Sequence, residues 1–208
     1  GLAVRRAAFI RRPDLDDRAA PQEGPFVSIP TLAEFEDAAA SLQGVITRTP
    51  LDESQHLSEL LGVPVHLKLE NLQRTGSFKE RGAANKLALL SADERKLGVI
   101  CASAGNHAQG VAAQAAQLGI SATIVMPERS PLNKVQRTRS FGARVVLFGQ
   151  NFDEAYEEAM RIRKAEGQVF VHPFDDDEII AGQGTVGLEI LEQVPDVEAI
   201  VVAVGGGG

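Results

Sequence analysis

From Pro30 onward, apolar and polar positions fall into blocks with two different periods. In "TLAEFEDAAASLQG", Thr31 is followed three residues later by Glu34, the spacing of a capping box, and an alanine-rich helix is expected to run from it to Gly44. "SQHLSELLG" predicts a second, short helix. "VPVHLKLE" puts Val63, Val65, Leu67 and Leu69 at alternate positions on one face, which predicts a strand. A helix capped by Ser77 is expected to reach Leu90. Four short apolar strands then alternate with helices. The strands are "LGVICAS", "ATIVMP", "ARVVLFG" and "QVFVHPF". The helices between them are "NHAQGVAAQAAQLG", "PLNKVQRTRSFG" and "NFDEAYEEAMRIRKAEG". Gly119 is expected to stop the first of these, Pro131 to start the second, and acids at the start with bases and a glycine at the end to frame the third. After "DDDEIIAGQGT", a helix over about 186–193 leads into "VEAIVVAV", the most apolar strand in the chain.

Strands alternating with helices define an α/β chain built from βαβ units on a parallel sheet. Runs of Val and Ile without polar interruption predict strands covered on both faces. The strands between about residues 98 and 172 form one self-contained α/β unit, and the segments on either side read as parts of a second unit that the chain leaves and re-enters. The expected division is a flexible arm over 1–25, a first part of a large domain over 26–96, a small α/β domain over 97–174, and a second part of the large domain over 175–208. The last part is expected to be truncated after its glycine-rich loop.

Composition narrows the function. A net charge of −7, with no basic stripe carrying interleaved aromatics, argues against nucleic-acid binding. No apolar run is long enough for a bilayer. Cys101 is the one cysteine, so neither an internal disulfide nor a cysteine metal cluster is expected, in keeping with the cytoplasm. The opening run "GLAVRRAAFIRR" lacks acids, as transit peptides do, but it also lacks serine and acids follow at once.

Three constellations carry chemistry. In "TGSFKERGA", Lys79 falls in the first turn of a helix, where the dipole disfavours its ammonium form, and Phe78 offers an apolar wall. In "SAGNHAQG", Ser103, Gly105, Asn106 and His107 lie at a strand-to-helix turn and could receive a carboxylate; a plain helix cap would explain Asn106 equally well. In "AVGGGG", Gly205, Gly206, Gly207 and Gly208 follow a strand, where backbone N–H groups can cradle a phosphate; a tight turn is the plainer reading. A nucleophilic amine, a carboxylate pocket and a phosphate loop together suit a pyridoxal phosphate enzyme acting on amino acids. A non-catalytic α/β module that binds a phosphorylated small molecule is the alternative from another class.

"KLENLQRTGSFKERGA", "SAGNHAQGVA", "FDDDEIIAGQGT" and "VVAVGGGG", in this order, resemble the threonine dehydratases (threonine ammonia-lyases) of the fold-type II pyridoxal 5'-phosphate enzymes from about residue 26 onward. The resemblance implies two open parallel-sheet α/β domains. It implies Lys79 as the Schiff-base lysine and general base at Cα, Phe78 beside the cofactor ring, and Asn106 at the ring oxygen. Gly205 to Gly208 would hold the phosphate, and Ser103, Gly105, Asn106 and His107 the substrate carboxylate. It implies L-threonine, and L-serine by the same route, as the small-molecule amino-acid substrate, and a homo-oligomer. Serine racemases are similar but typically carry serine where Ala104 stands, and cysteine synthases usually have threonine where His107 stands; both positions lean toward a dehydratase. The family's residue facing the pyridine nitrogen would lie beyond residue 208, so the 208-residue chain by itself is expected to bind cofactor weakly and to turn over slowly or not at all.

Overall fold

The computed structural model describes residues 7–11 and 30–203. The centre is a four-stranded sheet made of β4 (Val99–Ala102), β5 (Ala122–Met126), β6 (Arg144–Leu147) and β7 (Val169–Phe170), in the order β6-β5-β4-β7. Every pairing in it is parallel. Three helices connect these strands: α5 (Asn106–Leu118), α6 (Leu132–Ser140) and α7 (Phe152–Glu166). The pleat divides the core in two. Val99 and Cys101 of β4, with Ile124 and Met126 of β5, point into one cluster with Val111 of α5 and Val135 of α6. Ile100, Ala102 and Val125, one residue out of phase, meet Ala155, Ala159 and Ile162 of α7 on the other face. Both faces are covered, which is why these strands carry no polar alternation.

Helix punctuation follows the sequence. Thr31 and Glu34 form the expected capping box on α1 (Leu32–Ser41). Ser54 caps α2 (Gln55–Leu61), Asn151 caps α7, and Gly62, Gly119 and Gly167 adopt the left-handed conformation that ends α2, α5 and α7. A short helix, α4 (Ala92–Leu97), has its own Ser91–Glu94 capping box.

Three expectations are corrected. The helix α8 spans Asp177–Gln193, so "DEIIAGQGT" is helical rather than a lead-in. Its glycines hide it, since each lowers helix propensity by about 1 kcal/mol relative to alanine. Packing explains two of them. A Cβ on Gly182 would lie 2.7 Å from Cα of Gly82, in the helix α3 (Lys79–Leu89), and a Cβ on Gly184 would overlap the Phe35 ring. Second, "VPVHLKLE" contributes only the short strand β3 (His66–Lys68), paired antiparallel with β2 (Leu51–Glu53), and Leu67 on it is 42% accessible. Lys68 on the opposite face is the buried residue, for the ionic reason given below. Third, β8 (Ala199–Ala203) is not covered on both faces among the described residues. It pairs antiparallel with β1 (Ala7–Arg11), and Val201 is 63% accessible. β1 also lies within the segment read as a flexible arm; the remainder of that segment, apart from residues 7–11, lies outside the described residues.

Candidate active site

Lys79 is the first residue of α3, and its backbone N–H donates to Ser77 Oγ (3.4 Å). The loop before it turns through Gly76, at φ +82°, and is tied to the helix by Glu80, whose Oε2 accepts from the Thr75 N–H (2.9 Å). Glu80 is itself buried and accepts from Gln114 Nε2 of α5 (2.9 Å). The Lys79 side chain is half-buried. Its Nζ lies 5.3 Å from the centre of the Phe78 ring and donates to the carbonyl of Pro173 (2.8 Å). Among the described residues no carboxylate forms an ion pair with it. Burial lowers its pKa from the ordinary lysine value, because no anion offsets the cost of a desolvated ammonium.

The second constellation sits at the carboxyl end of β4. Ser103 N–H continues the ladder to the Val125 carbonyl (3.0 Å), and Ser103 Oγ accepts from the Gly105 N–H (3.1 Å). Asn106 opens α5 with its side chain exposed. The first N–H groups of α5 have no partner within the helix, so this turn presents donors. Gly110, one turn further, brings the two constellations together: a Cβ there would lie 3.1 Å from the Lys79 carbonyl oxygen. Any side chain at 110 would push α5 away from the start of α3.

His107 behaves differently from its neighbours. Its ring is 3% accessible, and Nε2 lies 3.0 Å from the Val171 carbonyl. A carbonyl only accepts, so Nε2 carries the proton and Nδ1 is left with a lone pair, buried without a hydrogen-bond partner among the described residues. Burial, with added repulsion from Lys79 and His172, pushes its pKa down to about 4. The ring is therefore neutral near pH 7 and faces the core, so a direct ionic contact of this imidazole with a substrate carboxylate is not what the geometry offers. Gly205, Gly206, Gly207 and Gly208 lie outside the described residues.

Two features have no signal in the sequence pattern. One is the turn 171–176 that supplies the acceptor for Lys79. His172 Nδ1 accepts from the N–H groups of Phe174 (3.3 Å) and Asp175 (2.7 Å) and closes this turn on itself. The other is a buried ionic cluster behind α3. Arg81 is fully buried, bidentate to Glu70 (2.7 and 2.8 Å) and paired with Glu189 of α8 (2.7 and 3.0 Å). Lys68 reaches the same Glu189 (2.6 Å), Gln193 (2.7 Å) and the Thr49 carbonyl (2.7 Å). Arg81 and Lys68 hold the Glu189 carboxyl below its ordinary pKa against the opposing effect of burial. The partners are more than a hundred residues apart in sequence for the Arg81–Glu189 and Lys68–Glu189 pairs, so local periodicity carries no trace of them. A cavity of about 260 Å³ lined by Leu42, Ile46, Thr185, Leu188 and Glu189 lies between α1 and α8; none of Lys79, Ser103, Gly105, Asn106 and His107 lines it.

The parallel α/β sheet thus carries a half-buried lysine, without an ion-pair partner among the described residues, at the start of α3 and a turn rich in backbone donors at the start of α5. Residues 42–208 match the family described as pyridoxal-phosphate dependent enzyme, and the chain belongs to that family. It is 60% identical over 178 residues to an L-threonine ammonia-lyase of Thermotoga maritima, covering 86% of this chain and 44% of that protein. Among solved structures it is similar to maize serine racemase (TM-score 0.79, 32% identity, 83% of this chain and 52% of that one). It is also similar to threonine deaminase isoform 2 of Solanum lycopersicum (TM-score 0.74, 41% identity, 81% and 51%). The chain thus spans about half the length of the relatives it matches. Among the described residues no helix is long and apolar enough to cross a membrane.

Proposed function

We propose that this chain supplies the lysine-bearing part of a pyridoxal-phosphate-dependent L-threonine ammonia-lyase, acting also on L-serine. The observation that carries the reading is the Lys79 amine: half-buried, without an ion-pair partner among the described residues, and held by one neutral carbonyl. Such an amine fits a cofactor aldehyde, because burial lowers its pKa and so favours the free base relative to an exposed lysine. When bound, the cofactor supplies the electron sink that lets a Cα proton leave. In this reading Lys79 holds the cofactor and, once displaced, carries that proton on Nζ. Phe78 and Asn106 would help to hold the cofactor ring. The Ser103 hydroxyl and the N–H groups of Gly105, Asn106 and His107 receive the substrate carboxylate. His107 therefore contributes backbone rather than imidazole. Gly205 to Gly208 bind the phosphate, and the segments flanking residues 97–174 belong to a second domain.

The 60% identity to a threonine ammonia-lyase favours dehydration over racemisation. Ala104 points the same way, since it packs against the core and has no hydroxyl to return a proton. The working enzyme is read as a cytoplasmic homo-oligomer.

Borohydride reduction of the chain incubated with pyridoxal phosphate, followed by peptide mass spectrometry, tests the reading. The adduct is expected on Lys79, absent in Lys79→Ala, and reduced in yield when L-threonine is added before reduction. Adducts confined to other lysines would overturn it.

A further inference from the structure

Among the described residues the Lys79 amine has one acceptor, and that acceptor belongs to a turn rather than to a strand or helix. What fixes the Pro173 carbonyl is therefore what aims the amine. Three side chains hold the turn. At its start, Val171 still donates its N–H to the Ile100 carbonyl (2.9 Å), while its own carbonyl accepts from His107. In the middle, His172 Nδ1 gathers the N–H groups of Phe174 and Asp175, and the His172 ring stands edge-on to Phe174, 4.7 Å away. At its end, Asp176 caps α8 through the Glu178 and Ile179 N–H groups and is paired with Lys86 of α3 (2.9 Å).

His107 is the member of this set whose presence costs most. A buried imidazole that leaves Nδ1 unpartnered carries an uncompensated desolvation penalty. A leucine of similar bulk would avoid it but would strand the Val171 carbonyl. We propose that His107 is a positioning residue: through Nε2–H it pins the Val171 carbonyl, and with it the turn that presents the Pro173 carbonyl to the Lys79 amine. The structure thus links α5 to α3 through the backbone of 171–173. His107 serves the amine without touching it.

The inference rests on Lys79 being the reactive amine, which borohydride trapping tests on its own. The positioning claim is read on the protein without cofactor. The pH midpoint of Lys79 modification by a small amine reagent is followed by peptide mass spectrometry, with exposed Lys96 as internal reference. The titratable neighbours are His107 on α5 and His172 on the turn, with Asp175 and Asp176 beside His172. In His107→Leu the turn loosens, the amine gains water, and its midpoint rises. His107→Gln, whose amide N–H can reach the same carbonyl, is expected to keep the midpoint close to that of the unaltered chain. A folded His107→Leu with an unchanged midpoint, or a glutamine variant no better than leucine, overturns the proposal. If His107→Leu does not fold, the reciprocal measurement decides. Lys79→Met removes the donor at the other end, and hydrogen exchange over residues 171–176 is expected to quicken severalfold. Unchanged exchange there overturns the coupling.

Discussion

Replacing Glu189 with glutamine tests the buried cluster behind the reactive helix most sharply. Two cations, Lys68 and Arg81, meet two carboxylates, Glu70 and Glu189, with side chains 8, 0, 13 and 15% accessible respectively. Charges balance in the native chain. Glutamine keeps the shape and some of the hydrogen bonds but leaves Lys68 and Arg81 facing one carboxylate. Breaking a buried pair from one side costs about 3–5 kcal/mol, because the remaining charge stays desolvated without its counter-ion. For a chain of this size each kcal/mol lowers Tm by about 2–4 °C, so the loss should be about 6–20 °C in a thermal melt followed by circular dichroism. Removing both members of one pair gives a control with the opposite expectation. Arg81→Met combined with Glu189→Met keeps the cluster neutral, with Lys68 and Glu70 remaining, and should cost less than the sum of the single changes, because each single change leaves a net buried charge. A Glu189→Gln variant that melts within a degree or two of the unaltered chain would refute the argument, as would strict additivity in the double variant.

Two further outcomes follow from other parts of the structure. His107 has a folded pKa of about 4 against an ordinary value of 6.5, so the unfolded chain takes up its proton first as pH falls. Its contribution is intact above about pH 6.5 and lost on acidification toward pH 4, by about 3 kcal/mol in all; urea titrations across that range should show a shallower pH slope for His107→Gln, and equal slopes would contradict the burial of this ring. Gly182→Ala would gain about 1 kcal/mol of helix propensity but force a Cβ to 2.7–2.8 Å from Gly82 Cα, Arg81 O and Asn85 Cβ, and such overpacking costs about 1–3 kcal/mol or more. The expected net effect is a lower denaturant midpoint, and a raised one would show that the α3–α8 crossing is looser than described.

Much of the frame was legible in the residues. Continuous Val and Ile runs alternating with capped helices point to a parallel sheet covered on both faces, because each crossover helix packs on the sheet and hides the strands from water. Capping boxes and terminal glycines mark helix ends through local hydrogen bonds and backbone freedom, so Thr31, Gly119 and Gly167 could be read directly. Lys79 at a helix start, with the motif resemblance, pointed to amine chemistry.

The rest is non-local. α8 was hidden because its glycines oppose helix formation locally and are explained only by the helix that crosses at Gly82 and by the Phe35 ring. Alternation in "VPVHLKLE" identifies an apolar face, whereas the ionic partners that draw the Lys68 side chain inward lie more than a hundred residues away. His107 looked like a ligand beside its neighbours, yet a one-residue step around the start of α5 turns its ring from the site to the Val171 carbonyl. By itself the sequence determined which residues could do chemistry and which class of fold would carry them. Only the tertiary structure decided that Lys79 has a carbonyl rather than a carboxylate for a partner, since that depends on where the turn after β7 comes to rest.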